Sequence, residues 1–122
     1  MSFSAETEST VNILLHSEYI NSCIQYGDFY HSEHEAYAVL AEEIEEAEEE
    51  IKTLKDMQKE IWQIVKSNEV NGPEFIKYLD NTIVVVEQSI KELAQVGGVL
   101  HKFLSTIKNK KENNILFCEV EE

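Results

Sequence analysis

Basic residues are scarce in this chain, with ten lysines and arginines against 24 aspartates and glutamates, for a formal charge of −14. Nucleic-acid backbones and anionic membrane surfaces recruit clustered cations, so neither is an expected partner, whereas metals and basic proteins remain. Turn formers are scarce as well. One proline and four glycines exclude a turn-rich β fold and leave few places for helices to end. The two cysteines, Cys23 and Cys118, stand in no CxxC or zinc-type spacing, which points to free thiols. The opening MSFSAETEST has no basic segment followed by an apolar one, and no run approaches the length of a membrane span; the expected location is the cytoplasm.

What is present is apolar periodicity. A hydrophobic fraction of 43% in 122 residues suffices for one domain with a core, expected as a helical domain over residues 1–114 followed by a short acidic tail, 115–122. Gly27-Asp28 closes a first segment and Asn71-Gly72-Pro73 a second, with Pro73 suited to the first position of a third helix. The polar stretch from Lys108 to Asn114 is expected to end that helix, leaving Ile115 to Val120 as a β-prone stretch. A capping box, Ser32 with Glu35, opens the second segment, so long helices are expected near 33–68 and 74–108.

Both carry strict seven-residue repeats. In the second segment these are Tyr37, Ile44, Ile51 and Val65, interleaved with Leu40, Ala47, Leu54 and Ile61; in the third, Ile76, Ile83, Ile90, Gly97 and Leu104, interleaved with Leu79, Val86, Leu93, Leu100 and Ile107. The short connection makes the two helices antiparallel neighbours, with Ala47 facing Leu93, Ile51 facing Ile90, and Ile44 facing Gly97. Small residues at Ala47 and Gly97-Gly98 are expected to let these two backbones approach closely. The expected fold is all-α, a bundle built on a long antiparallel helical hairpin, with the first helix covering a second apolar stripe (Phe75, Tyr78, Val85, Val96, Val99, Phe103). Apolar surface left uncovered by one short helix implies a homodimer or higher homo-oligomer.

The stretch HSEHEAYAVLAEEIEEAEEEI, residues 31–51, holds nine glutamates and no lysine or arginine. Like charges three and four residues apart on a helix repel by roughly 0.2–0.5 kcal/mol per pair. A solvated helix face tolerates that cost, and Glu42, Glu45, Glu48 and Glu49 suit such a face. Glu92 differs, because it stands inside the apolar stripe of the third helix, where a carboxylate needs a partner, a proton or a metal. Helical geometry puts Glu43, Glu46 and Glu50 on the matching flank of the second helix. A cluster of hard oxygen ligands partly shielded from water suits magnesium. His31 and His34 lack metal-ligand spacing and read as exposed or capping residues, His16 could face the site, and Trp62 reads as core or dimer surface.

The segment Glu42-Glu43-Ile44-Glu45-Glu46 resembles the EExxE motif of the MazG-like all-α nucleoside triphosphate pyrophosphatases, a superfamily that includes dimeric dUTPases. The wider glutamate run is similar to small proteins of phages and prophages of Gram-positive bacteria, placed at the margin of that superfamily, which would put the protein in the host cytoplasm. The resemblance implies Glu43 and Glu46 as ligands of Mg2+ or Mn2+. The acids of the family's second motif would correspond to Glu92-Leu93-Ala94-Gln95, with Gln95 where the second acid is expected; beside Glu43, Glu46 and Glu92 as metal ligands, Gln95 and, from its place on the helix flank, Glu50 are additional candidates. Lys91, His101 and Lys102 are the candidates for gripping the phosphates of a nucleotide. The implied activity is magnesium-dependent release of pyrophosphate from a nucleoside triphosphate, or nucleotide binding without turnover; no catalytic base is singled out. Two other readings stand beside it: an acidic, non-catalytic interaction module such as a phage-encoded inhibitor that presents carboxylates to a basic partner surface, which the overall charge supports, and a plain coiled-coil assembly protein.

Overall fold

The computed structural model describes the backbone of residues 3–121 and the side chains of residues 3–113, and the fold it shows is all-α. The first helix, α1, runs Ala5–Tyr26, α2 runs Glu33–Lys66 and α3 runs Pro73–Glu121. Local chemistry accounts for most of the ends. Ser4 caps α1, its hydroxyl accepting from the Thr7 amide at 3.2 Å, and the Ser32 hydroxyl accepts from the Glu35 amide at 3.1 Å at the start of α2. Gly27 ends α1 at φ 95°, a conformation that costs a side-chain-bearing residue, while its N–H donates to the Cys23 carbonyl. Pro73 opens α3, where its missing N–H leaves nothing unsatisfied.

The end of α2 lies earlier than the Asn71-Gly72-Pro73 triplet. Asn68 adopts φ 60°, and its N–H donates to the Val65 carbonyl at 3.2 Å while the Glu69 N–H donates to the Ile64 carbonyl at 3.3 Å. This is a Schellman-type cap with asparagine in the left-handed position that glycine usually takes. Asn68→Gly should therefore keep or slightly raise stability, and Asn68→Val should lower it by about 1–2 kcal/mol. Urea unfolding of the two variants measures this; equal midpoints would mean that the left-handed cap does not form.

At the other end, α3 does not stop in the Lys108 to Asn114 stretch as expected. No glycine or proline stands in that stretch, lysine and glutamate are good helix formers, and Lys110 is held by an ion pair to Glu33 at 2.9 Å. The β-prone stretch Ile115 to Val120 is helical backbone, and its side chains, with those of the acidic tail, lie outside the described residues.

Two compact units divide the chain, Glu43–Leu93 and the remainder, Met1–Glu42 with Ala94–Glu122. In the second of these, Tyr30, Ala36 and Val99 form a buried cluster joined by Val39, Leu40 and Phe103. Here α1 meets α3 at Gly97 and Gly98. A Cβ on Gly97 would run into the Leu15 side chain, and one on Gly98 would stand 3.0 Å from backbone atoms of Glu18 and Tyr19. The small residues thus admit α1, not α2 as expected. Beyond the glycines, Tyr19 and Ser105 share a hydroxyl hydrogen bond at 3.1 Å, and the Lys102 ammonium donates to Ser22 at 3.3 Å. The face of α3 that receives α1 is therefore 97, 98, 102 and 105, one step round from the expected Val99 and Phe103.

Burial along α3 corrects the expected seam. Besides the positions that receive α1, the half-buried or buried residues include Phe75, Tyr78, Thr82, Val85, Ser89, Glu92, Val96, Val99, Phe103 and Thr106, which make a heptad series of their own. Apart from buried Gly97, the expected series is exposed, from Ile76 at 61% to Ile107 at 37%. Ala47 is buried, yet Leu93 is not, and Ile51 and Ile90 both face solvent, so those pairings do not form the packed seam. The reason is chemical. The inner seam is disguised by hydroxyls that satisfy themselves on their own helix: Thr82 donates to the Tyr78 carbonyl, Ser89 to Val85 and Thr106 to Lys102, at 2.8, 2.9 and 2.8 Å. On α2 the expected Leu40, Ala47, Leu54, Ile61 register does turn inward, whereas Tyr37, Ile44, Ile51 and Val65 are exposed.

Candidate functional site

Within the unit Glu43–Leu93, the inner seam of α2 carries Glu43 and Glu50 beside buried Ala47, and that of α3 carries Glu92 one turn from buried Ser89. Alanine and serine are short, which lets the longer carboxylates of neighbouring turns reach one another. Carboxylate oxygens of Glu43, Glu46 and Glu92 all lie within 4.8 Å of each other; Glu43 and Glu92 are half-buried and Glu46 is exposed. Three hard oxygen donors with one open side can hold a divalent cation that keeps part of its water shell.

Burial raises the pKa of the Glu92 carboxyl above the ordinary glutamate value, and the charge of Glu46, a hydrogen bond to Glu46 and the charge of Glu50 push it the same way. Glu92 thus holds a proton more readily than an isolated glutamate would. A raised pKa means that the folded state binds the proton more tightly than the unfolded state. The stabilisation is complete below the unfolded value of about 4.3 and is lost as the pH rises through the raised folded value. Glu92→Gln, which keeps the shape without the charge, should therefore gain stability relative to the native protein at pH 7.5 and show little or no gain at pH 4. Unfolding midpoints at the two pH values check this; a difference that does not change with pH would remove Glu92 as the responsible group.

Glu42, Glu45, Glu48 and Glu49 are exposed, matching the solvated face expected for them. Lys91 is exposed on α3. Gln95, also exposed, belongs to the other compact unit. His101 is exposed with its ring 6.0 Å from that of Tyr19, which also neighbours His16 at 5.9 Å. Lys102 is not placed to grip a phosphate, because it is 2% exposed, donates to Ser22 and lies 4.6 Å from the centre of the Tyr30 ring. His31 and His34 are exposed, Trp62 is 57% exposed with Lys66 over its ring, and Cys23 is half-buried and free. Every cation of the chain is lysine, so no guanidinium fork exists for bidentate phosphate binding. What sequence reasoning missed is the hydrogen bond between Glu46 and Glu92, which depends on a distance no periodicity supplies. No described helix is long and apolar enough to cross a membrane. No protein-family model, curated protein or solved structure matches the chain.

Proposed function

We propose that the protein is a self-associating, divalent-metal-dependent nucleotide-binding protein of the nucleoside triphosphate pyrophosphohydrolase type, built on an antiparallel hairpin of α2 and α3. The observation that carries the reading is the convergence of Glu43, Glu46 and Glu92. Support for the hairpin comes from the six-residue connection 67–72 at one end of unit Glu43–Leu93 and the meeting of Glu46 with Glu92 at the other. A bound magnesium or manganese ion would neutralise oxygens of a triphosphate. Glu43, Glu46 and Glu92 would hold the ion, and Glu50 would keep the local field negative when it is absent. Lys91 is the exposed cation nearest in sequence to the cluster for countering phosphate charge.

Millimolar magnesium or manganese should raise the melting temperature. For a Kd near 1 mM, about 10 mM metal contributes about 1.4 kcal/mol, or roughly 4–8 °C for a chain of this size. Glu92→Gln should abolish the shift, Glu45→Gln on the solvated face should keep it, and pyrophosphate release from a panel of nucleoside triphosphates should stop in Glu92→Gln alone. Equal metal shifts in the two variants, with no triphosphate hydrolysed, would defeat this reading. That outcome would favour the second one, an acidic module binding a basic protein surface, for which the charge of −14 and the exposed Glu42, Glu45, Glu48 and Glu49 speak.

A further inference from the structure

The heptad series left outside the packed seam forms an apolar face on unit Glu43–Leu93. On α2 it comprises Ile44, Ile51 and Val65, exposed at 40–44%. On α3 it comprises the two interleaved series from Ile76 to Leu93, exposed at 38–61%. Taking a whole aliphatic residue as roughly 200 Å², these nine residues leave on the order of 800 Å² of apolar surface in water, close to what each partner contributes to a stable protein interface and more than a typical monomer shows in one patch. Periodicity gives the same answer as area. A surface that only happens to be apolar need not repeat every seven residues, whereas one that packs against another helix along its length must. In an antiparallel hairpin both series flank the inner seam on the same side, so they make one face.

Charge selects the occupant and its direction. Within the unit, α2 has Glu43, Glu45, Glu46, Glu48, Glu49 and Glu50 in its first part and all four of its lysines, Lys52, Lys55, Lys59 and Lys66, after them. Two copies packed in the same direction would set glutamates against glutamates. Packed head to tail, they set glutamates against lysines. Ile51 marks the natural centre, because Glu48 lies three residues before it and Lys55 four residues after it on the same helix face. A two-fold axis at Ile51 would bring Glu48 to Lys55 of the second copy and Ile44 to the partner's Gln58.

We propose that this face binds a second copy of the chain, with the two α2 helices antiparallel across a two-fold axis at Ile51. The proposal rests on the self-association in the reading above and not on its metal chemistry. Sedimentation of the full chain at micromolar concentration should give twice the mass of 14.1 kDa. Ile83→Glu, on the face, should weaken association at least tenfold with helicity retained by circular dichroism, while Val84→Glu, exposed but off the heptad series, should leave it unchanged. In a Cys23→Ser, Cys118→Ser background, Ile51→Cys should form a dimer disulfide under mild oxidation. Ile44→Cys should not cross-link to itself but should cross-link to Gln58→Cys in a mixture. A monomeric native chain would overturn both the self-association and this interface. A native dimer in which Ile83→Glu stays folded and dimeric, or in which Ile44→Cys links to itself, would overturn the interface alone. Should Ile83→Glu lose its helicity, the cross-linking pattern decides, since it requires no disruptive charge.

Discussion

Lys102→Ala should lower the stability of the protein by about 2–4 kcal/mol, an effect expected of a core leucine or methionine and not of a lysine. At 2% exposure Lys102 is buried, its ammonium near the Tyr30 ring and the Ser22 hydroxyl, and among the described residues it meets no carboxylate. Truncation removes the whole stem and leaves a cavity beside the Tyr30, Ala36 and Val99 cluster. Lys102→Met retains most of the volume and removes a desolvated charge along with its interaction with Tyr30, two changes that nearly offset one another. The methionine variant should stay within about 1 kcal/mol of the native protein. Lys91→Ala, on the exposed surface of the same helix, should change stability by less than about 0.5 kcal/mol. Denaturant unfolding of the three variants separates packing from charge; an alanine effect at position 102 no larger than at 91 would show that the stem is not packed in solution.

The second large effect is expected at the crossing of α1 and α3. Alanine stabilises an exposed helix interior by about 1 kcal/mol relative to glycine, so a glycine that matters only through its flexibility should be improved by the change. Gly98→Ala should do the reverse. Its Cβ would stand 3.0 Å from the Glu18 carbonyl carbon and the Tyr19 amide nitrogen, atoms that move only if α1 moves. Overpacking of this kind costs about 1–3 kcal/mol, and adding Gly97→Ala, which displaces Leu15, should bring the double variant to about 2–4 kcal/mol below the native protein. Because the loss comes from displacing α1, the Tyr19 to Ser105 hydrogen bond and the Lys102 to Ser22 contact should loosen with it. Faster amide hydrogen exchange in α1 than in α2 would register the displacement, whereas a stabilised Gly98→Ala variant would mean that the helices are not in contact there.

Gly27→Ala offers a contrast, since nothing lies within 4 Å of an added Cβ there. Its cost comes from the φ of 95° alone, and about 1 kcal/mol is expected. Urea unfolding of the two variants measures both costs, and only the change at position 98 should loosen the Tyr19 to Ser105 hydrogen bond.

Much of the fold was legible because it is encoded locally. Ser32 and Glu35, Gly27 and Pro73 act within one helical turn of themselves, and the heptad spacing makes a helix whichever way its face points. The convergence of Glu43, Glu46 and Glu92 was also legible, since three glutamates at seam-like positions on two joined helices have few alternatives. The cap at Asn68 is masked in the sequence by the stronger turn signal of neighbouring Asn71-Gly72-Pro73, yet the chain uses the asparagine, which tolerates the left-handed region.

The sequence by itself determined that this chain is helical, where α1 ends and α2 and α3 begin, and that α2 and α3 each carry a repeat able to pack lengthwise. It did not determine which repeat faces inward. The α3 helix offers two adjacent seams, and the one it buries contains Thr82, Ser89, Glu92 and Thr106, whose polarity argues against burial until their partners are known. Three of them are satisfied by carbonyls of the preceding turn, and Glu92 by a hydrogen bond with a glutamate 46 residues away in sequence. Lys102 follows the same logic, a charged side chain taken from solvent because an aromatic ring and a hydroxyl meet it. Hydrophobic periodicity reports what each residue would prefer alone; tertiary structure decides burial, because a polar group's cost depends on a partner that periodicity cannot see.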